Sequence, residues 1–134
     1  MNMLSSCCVL LACALTLAAR AEPVQGAVTG AWAGDRARLV LDEHGGRLEM
    51  DCASGSFASP LRPADDGAFR VLGTFERHGA GAQRTDAGAT ARPAQYAGEV
   101  KDGAMTLSIQ AEGQDGPQVL HLRRGANVKL VRCL

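Results

Sequence analysis

Aromatic side chains are scarce: Trp32, Phe57, Phe69, Phe75 and Tyr96 are the only five in 134 residues. So few rings, so widely spaced, cannot form a base-stacking platform. The 14 basic residues are scattered and matched by 14 acidic ones, which leaves no electrostatic footprint for a polyanion. No nucleic acid partner is expected. Also missing is any apolar run of the roughly 20 residues a membrane-spanning helix needs, so no membrane span is expected. The familiar catalytic signatures are absent as well: no Gly-x-Ser-x-Gly elbow, His-Glu-x-x-His helix, phosphate-binding loop or dinucleotide fingerprint. Their absence argues against an enzyme and against a cofactor.

What the N-terminus does contain is an apolar stretch from Cys7 to Ala19 without a charged residue, followed by Ala19-Arg20-Ala21. A short apolar run before a small-x-small cleavage site is the pattern of a secretory signal peptide, read here as residues 1–21. Export to the periplasm or secretion follows from it. The alternative takes Leu10-Leu11-Ala12-Cys13 as a lipoprotein box with Cys13 as the lipidated anchor. The apolar run continues past Cys13, where a lipidated chain normally turns polar, so this ranks second. Cleavage after Ala21 leaves residues 22–134, enough for one domain.

Three of the five cysteines depart with the signal, and Cys52 and Cys133 remain. An even count in an oxidising compartment predicts a disulfide between them. It closes a loop of 81 residues. The other readings of Cys52 need partners: a nucleophile needs a base, and a zinc site needs His44, His78 or His121 at ligand spacing, which the sequence does not provide. No metal site is expected.

Beyond the signal, apolar residues recur with a period of two, and Gly- or Asp-containing turns interrupt them every eight to twelve residues. This predicts an all-β antiparallel meander of eight or nine short strands. The expected strands are 26–34, 36–43, 47–53, 56–61, 68–77, 94–101, 104–112, 118–123 and 127–134. An Asp102-Gly103 turn sets Val100 opposite Met105, Gly98 opposite Leu107 and Tyr96 opposite Ile109, all on one face. A four-residue loop 43–46 would pair Leu41 with Leu48, Leu39 with Met50 and Ala37 with Cys52, and so turn Cys52 inward. On the other face it pairs Asp42 with Arg47 and Arg38 with Asp51. Phe69, Val71, Gly73 and Phe75 share an inner face, as do Leu120 and Leu122, with His121 outside. In the last segment Lys129, Val131 and Cys133 share a face, so an inward Cys133 requires a rim position or a bulge for Lys129. Ser54-Gly55-Ser56 reads as a turn, with no base identifiable for either serine. Sequential pairing with one stapled end predicts a closed or nearly closed up-and-down barrel, which leaves no free sheet edge; a two-sheet sandwich is the alternative.

Gly30-Ala31-Trp32 resembles the Gly-x-Trp of the lipocalin and calycin group of small ligand-binding barrels. That resemblance implies that Trp32 closes one end of the barrel, with Arg123, Arg124 or Arg132 packing over it. A resemblance of wider extent runs through GAWAGDRARLVL, LEMDCASG, Gly67–Arg77, AQYAGEV, MTLSI and the closing Arg132-Cys133-Leu134. These segments look like an uncharacterised family of small bacterial exported proteins that begin with Gly-x-Trp and end in Cys-Leu. This second resemblance implies localisation and a paired-cysteine pattern, and no catalytic residue.

The leading expectation is therefore an exported, non-enzymatic barrel that binds a small apolar ligand inside. Its candidate ligand-binding residues are Trp32, Phe69, Phe75, His78 and Tyr96, with Leu39, Met50, Leu107 and Ile109 as further lining and the loop 78–93 as lid. The alternative is a protein-binding module such as an envelope protease inhibitor, in which residues 22–29 form a free arm. Against an internal ligand stands size: a small Gly- and Ala-rich chain has few side chains to spare beyond those that fill its own core.

Overall fold

The structure is a computed structural model that describes residues 26–78, 91–131 and 133. The signal segment 1–21, the lipoprotein box at Cys13 and most of the expected lid, 79–90, lie outside the described residues. Eight strands follow one another: β1 (Gly30–Gly34), β2 (Ala37–Leu41), β3 (Gly46–Met50), β4 (Ala53–Phe57), β5 (Ala68–Arg77), β6 (Arg92–Lys101), β7 (Ala104–Ala111) and β8 (Gln118–Arg124). Each pairs antiparallel with the next, and β1 returns to β8 through Trp32–Arg124 and Ala33–Arg123. The result is a closed up-and-down barrel.

Turn chemistry sets the registers. Asp102 and Gly103 both adopt positive φ, 51° and 76°, as a two-residue hairpin loop requires. The β6–β7 register is the expected one, with Val100 on Met105, Gly98 on Leu107 and Tyr96 on Ile109. Between β2 and β3 the structure corrects the expectation. Leu39 pairs with Leu48 and Ala37 with Met50, a shift of two residues. The cause is Asp42. Its carboxylate accepts the N–H groups of His44 and Gly45 at 2.7 and 3.0 Å, and its own N–H donates to the Gly45 carbonyl at 2.9 Å, so the loop closes over 42–45. A shift of two preserves which side chains face inward but moves Cys52 off the end of the strand.

The next hairpin is also corrected. Asp51 and Cys52 form the turn, and Ser54-Gly55-Ser56 lies within β4 rather than in a loop. Cys52 is accordingly exposed, not interior. Among the described residues no ninth strand forms; residues 127–131 run outside the barrel, and Cys133 is bonded to Cys52 with Cα atoms 5.4 Å apart. Because the bond lies outside, no bulge is needed to keep Lys129 in solvent. Val128 and Leu130 are half-buried, and Lys129 is exposed between them.

The interior is filled by its own aromatic residues, and three of them, Phe57, Phe69 and Tyr96, are set against glycines. A Cβ on Gly55 would collide with the Tyr96 hydroxyl, one on Gly46 with the Phe57 ring, and one on Gly98 would lie 3.1 Å from the Phe69 ring. Phe57 and Tyr96 also meet each other, with ring centroids 5.1 Å apart. The Tyr96 hydroxyl donates to the Thr74 carbonyl at 2.5 Å, and burial pushes its pKa upward. Gly98 further allows a close strand approach, since its Cβ would strike the Thr106 carbonyl. Gly98→Ala is therefore expected to destabilise the barrel by about 1–3 kcal/mol, as overpacking does. Urea unfolding that showed no loss would contradict this close packing.

One end of the barrel is sealed by Leu61, which is fully buried in the β4–β5 connection and accepts the Val28 N–H at 2.9 Å. Val28 packs against the core. Residues 26–29 are thus docked on the barrel without joining its sheet, and do not form a free arm.

Candidate functional site

The outer face of β2–β5 carries an extensive concave surface. Register explains it. Across the four strands, Arg38, Glu49, Ser54 and Glu76 form one outward row, and Val40, Arg47, Ser56 and Thr74 form the next. The β4 positions in both rows are serines, flanked by longer side chains on β3. A trough follows β4. Three overlapping hollows of about 810, 720 and 220 Å³ share Glu49 and run along it. The same ASGSF strand is small on its inner side as well, where Gly55 receives Tyr96.

At one end of the trough Ser54 Oγ lies 2.9 Å from His78 Nε2. His78 follows the last residue of β5, and its N–H continues the ladder to the Cys52 carbonyl at 2.9 Å. The structure thus gives Ser54 the basic neighbour that the sequence did not reveal. Among the described residues no carboxylate hydrogen-bonds the His78 ring, so the third, orienting group of a catalytic triad is not seen.

The C-terminal strap, residues 126–131, walls the trough on one side. Arg38 Nη2 donates to the Val128 carbonyl at 3.4 Å, and Val131 N–H donates to Asp51 Oδ1 at 2.8 Å. Asp51 also pairs with Arg36. The Val131 N–H and then the Arg36 guanidinium hold the Asp51 carboxyl below its ordinary value. On the outer row Arg38 faces Glu49 at 4.0 Å, so the expected Arg38–Asp51 and Asp42–Arg47 pairs are replaced by Arg38–Glu49 and Arg36–Asp51.

The residues expected to bind a ligand separate into two groups. Trp32, Phe69, Phe75 and Tyr96 belong to one packed core, together with Leu39, Leu107 and Ile109; His78 stands outside it at the trough. Met50 is only partly buried, packed at the edge of that core. Trp32 is fully buried, and Arg124 lies over its ring at 4.8 Å. His44 and His121 are exposed. The trough was missed because Ser-Gly-Ser between polar residues reads as a turn, and nothing local shows that its serines face outward beside longer neighbours.

Comparison with protein-family models, with curated proteins and with solved structures finds no match to this chain.

Proposed function

We propose that this chain is an exported, non-catalytic module that binds another protein through the trough over β4. What supports the reading is where space lies. The inward glycines are occupied by Phe57, Phe69 and Tyr96, and none of the hollows along the trough is lined by Trp32, Phe69 or Tyr96. An internal apolar cargo would have to displace the core's own rings. The trough instead offers hydroxyls at Ser54, Ser56 and Thr74 between charges at Arg38, Arg47, Glu49 and Glu76. Such a surface suits an extended polypeptide segment that brings backbone hydrogen-bonding groups to the serines and a cationic side chain to Glu76.

The reading is tested by placing a photo-crosslinking side chain at position 56 in the trough and, separately, at position 119 on the outside of β8, in the compartment where the protein resides. One defined protein adduct from position 56 only, lost on Ser54→Arg with the barrel still folded, is the expected result. Equal labelling from both positions, or a small molecule that leaves the native protein on unfolding, would overturn it and restore the internal-ligand reading.

A further inference from the structure

The inward-facing rows of β5 and β6 do not end in apolar residues. Along β5 the inward positions are Phe69, Val71, Gly73 and Phe75, and the next is Arg77. Along β6 they run back from Tyr96 through Ala94 to Arg92. Arg92 pairs directly with Phe75, and Arg77 pairs with the buried Ala53. Two arginines therefore occupy the last inward rungs at the same end of the barrel, where an ordinary barrel rung would carry an apolar residue.

Their guanidinium groups lean over the mouth. The Arg77 guanidinium carbon lies 5.9 Å from the centroid of the Phe75 ring. Arg92 Nη1 donates to the Glu112 carbonyl at 3.4 Å and passes over Gly113, whose φ of 84° and missing Cβ leave it room. Together they line a hollow of about 400 Å³ with Phe75 and Ala111 as its floor and Glu112 and Gln114 at its rim. Phe75 and Ala111 are each 3% exposed, so the floor is the top of the core itself. The loop at the rim is held by Gln114, whose Oε1 accepts the Ala111 N–H at 3.2 Å. Neither arginine forms an ion pair among the described residues; Glu112, at the rim, gives Arg92 its backbone carbonyl.

We propose that this mouth binds a small anionic amphiphile, a monocarboxylate with a short apolar tail. The carboxylate accepts N–H groups from Arg77 and Arg92, whose planar forks match its geometry. The tail rests on Phe75 and Ala111. Because the core beneath is filled, the tail is short: the hollow lies near the lower end of the range of about 300–1,000 Å³ seen for small-molecule sites. The site is at the barrel's end, apart from the trough, and stands whether or not the trough binds a protein.

The test is an NMR titration of the folded, oxidised mature protein with hexanoate, and in parallel with hexanol and inorganic phosphate. Saturable shifts of the Arg77 and Arg92 side-chain N–H signals are expected with hexanoate. Hexanol, which lacks the charge, and phosphate, which lacks the tail, are each expected to bind at least about tenfold more weakly. Arg77→Gln and Arg92→Gln, both at exposed side chains, should each weaken hexanoate about tenfold and leave the thermal midpoint nearly unchanged. Gly113→Ala, which displaces Arg92 without removing its charge, should weaken it as well. Hexanol binding as tightly as hexanoate, phosphate binding as tightly, an unaffected Arg77→Gln/Arg92→Gln double variant, or no saturable shift in the wild type would each overturn the proposal.

Discussion

Cys133→Ser is expected to lower the free energy of unfolding by about 2–5 kcal/mol. The bond closes 81 residues, from the β3–β4 turn to the end of the chain, and the chain-entropy treatment of a loop that long gives about 4.5 kcal/mol. That is a large share of the 5–15 kcal/mol typical of a whole domain. Urea unfolding should show both a lower midpoint and a steeper dependence on denaturant, because the unlinked unfolded chain exposes more surface. A loss under about 1 kcal/mol would mean that the staple restrains the unfolded state far less than its loop length implies.

Once the bond is gone, the strap depends on what else holds it: the Arg38 contact to Val128 and the Asp51 carboxylate that accepts the Val131 N–H. The folded-state pKa of Asp51 lies below its ordinary value of 3.8. Its contribution is therefore fully present above that ordinary value and is lost as pH falls through the lower folded value. In Cys133→Ser, hydrogen-exchange protection of the Val131 amide should hold down to about pH 4 and decline only below it. Protection lost already well above pH 4 would show that a group other than Asp51 holds the strap.

Trp32→Ala is the second large effect, with an expected loss of about 3–5 kcal/mol, since it empties the space of the largest fully buried side chain. Trp32→Phe should cost much less. It keeps most of the buried area and removes an indole N–H that has no hydrogen-bond partner among the described residues, a group whose burial unpaired costs about 1–3 kcal/mol. Arg124→Ala should cost only about 0.5–1 kcal/mol, because its side chain is exposed over the Trp32 ring. If Trp32→Phe destabilised as much as Trp32→Ala, the indole N–H would have to be well satisfied, contrary to its surroundings. Thermal or urea unfolding of the three variants separates these cases.

Why some of this was legible in the sequence and some was not comes down to particular residues. Strict alternation in β5, β6, β7 and β8 marks inner and outer faces without reference to any neighbour, and the Asp102-Gly103 turn sets the β6–β7 register by backbone conformation alone. Both are local, so both were readable. The β2–β3 register depends on which groups the Asp42 side chain captures. Cross-strand charge and a loop bond compete for that one carboxylate, and the loop bond prevails because its partners are two residues away rather than across a strand. That choice moved Cys52 into the β3–β4 turn and put the disulfide outside.

The arginine pair at the mouth was half legible. Arg77 and Arg92 could be counted near the long loop, but their shared inward parity appears only when β6 is seen to begin at Arg92 and to pair it with Phe75. The Ser54–His78 contact was not legible at all, since 24 residues separate its members and only the β4–β5 register brings Ser54 beside the end of β5.

From the sequence alone came the all-β class, the sequential pairing, the inward faces of six strands and the pairing of Cys52 with Cys133, because periodicity, turn residues and cysteine count are properties of the chain itself. What only the tertiary structure decided is what each glycine and serine is for. Gly55 could have made a turn; it sits in a strand because the Tyr96 ring on the neighbouring wall needs the space of a missing Cβ. Small residues have two uses, bending the chain and making room, and the choice between them depends on a partner that folding alone brings near.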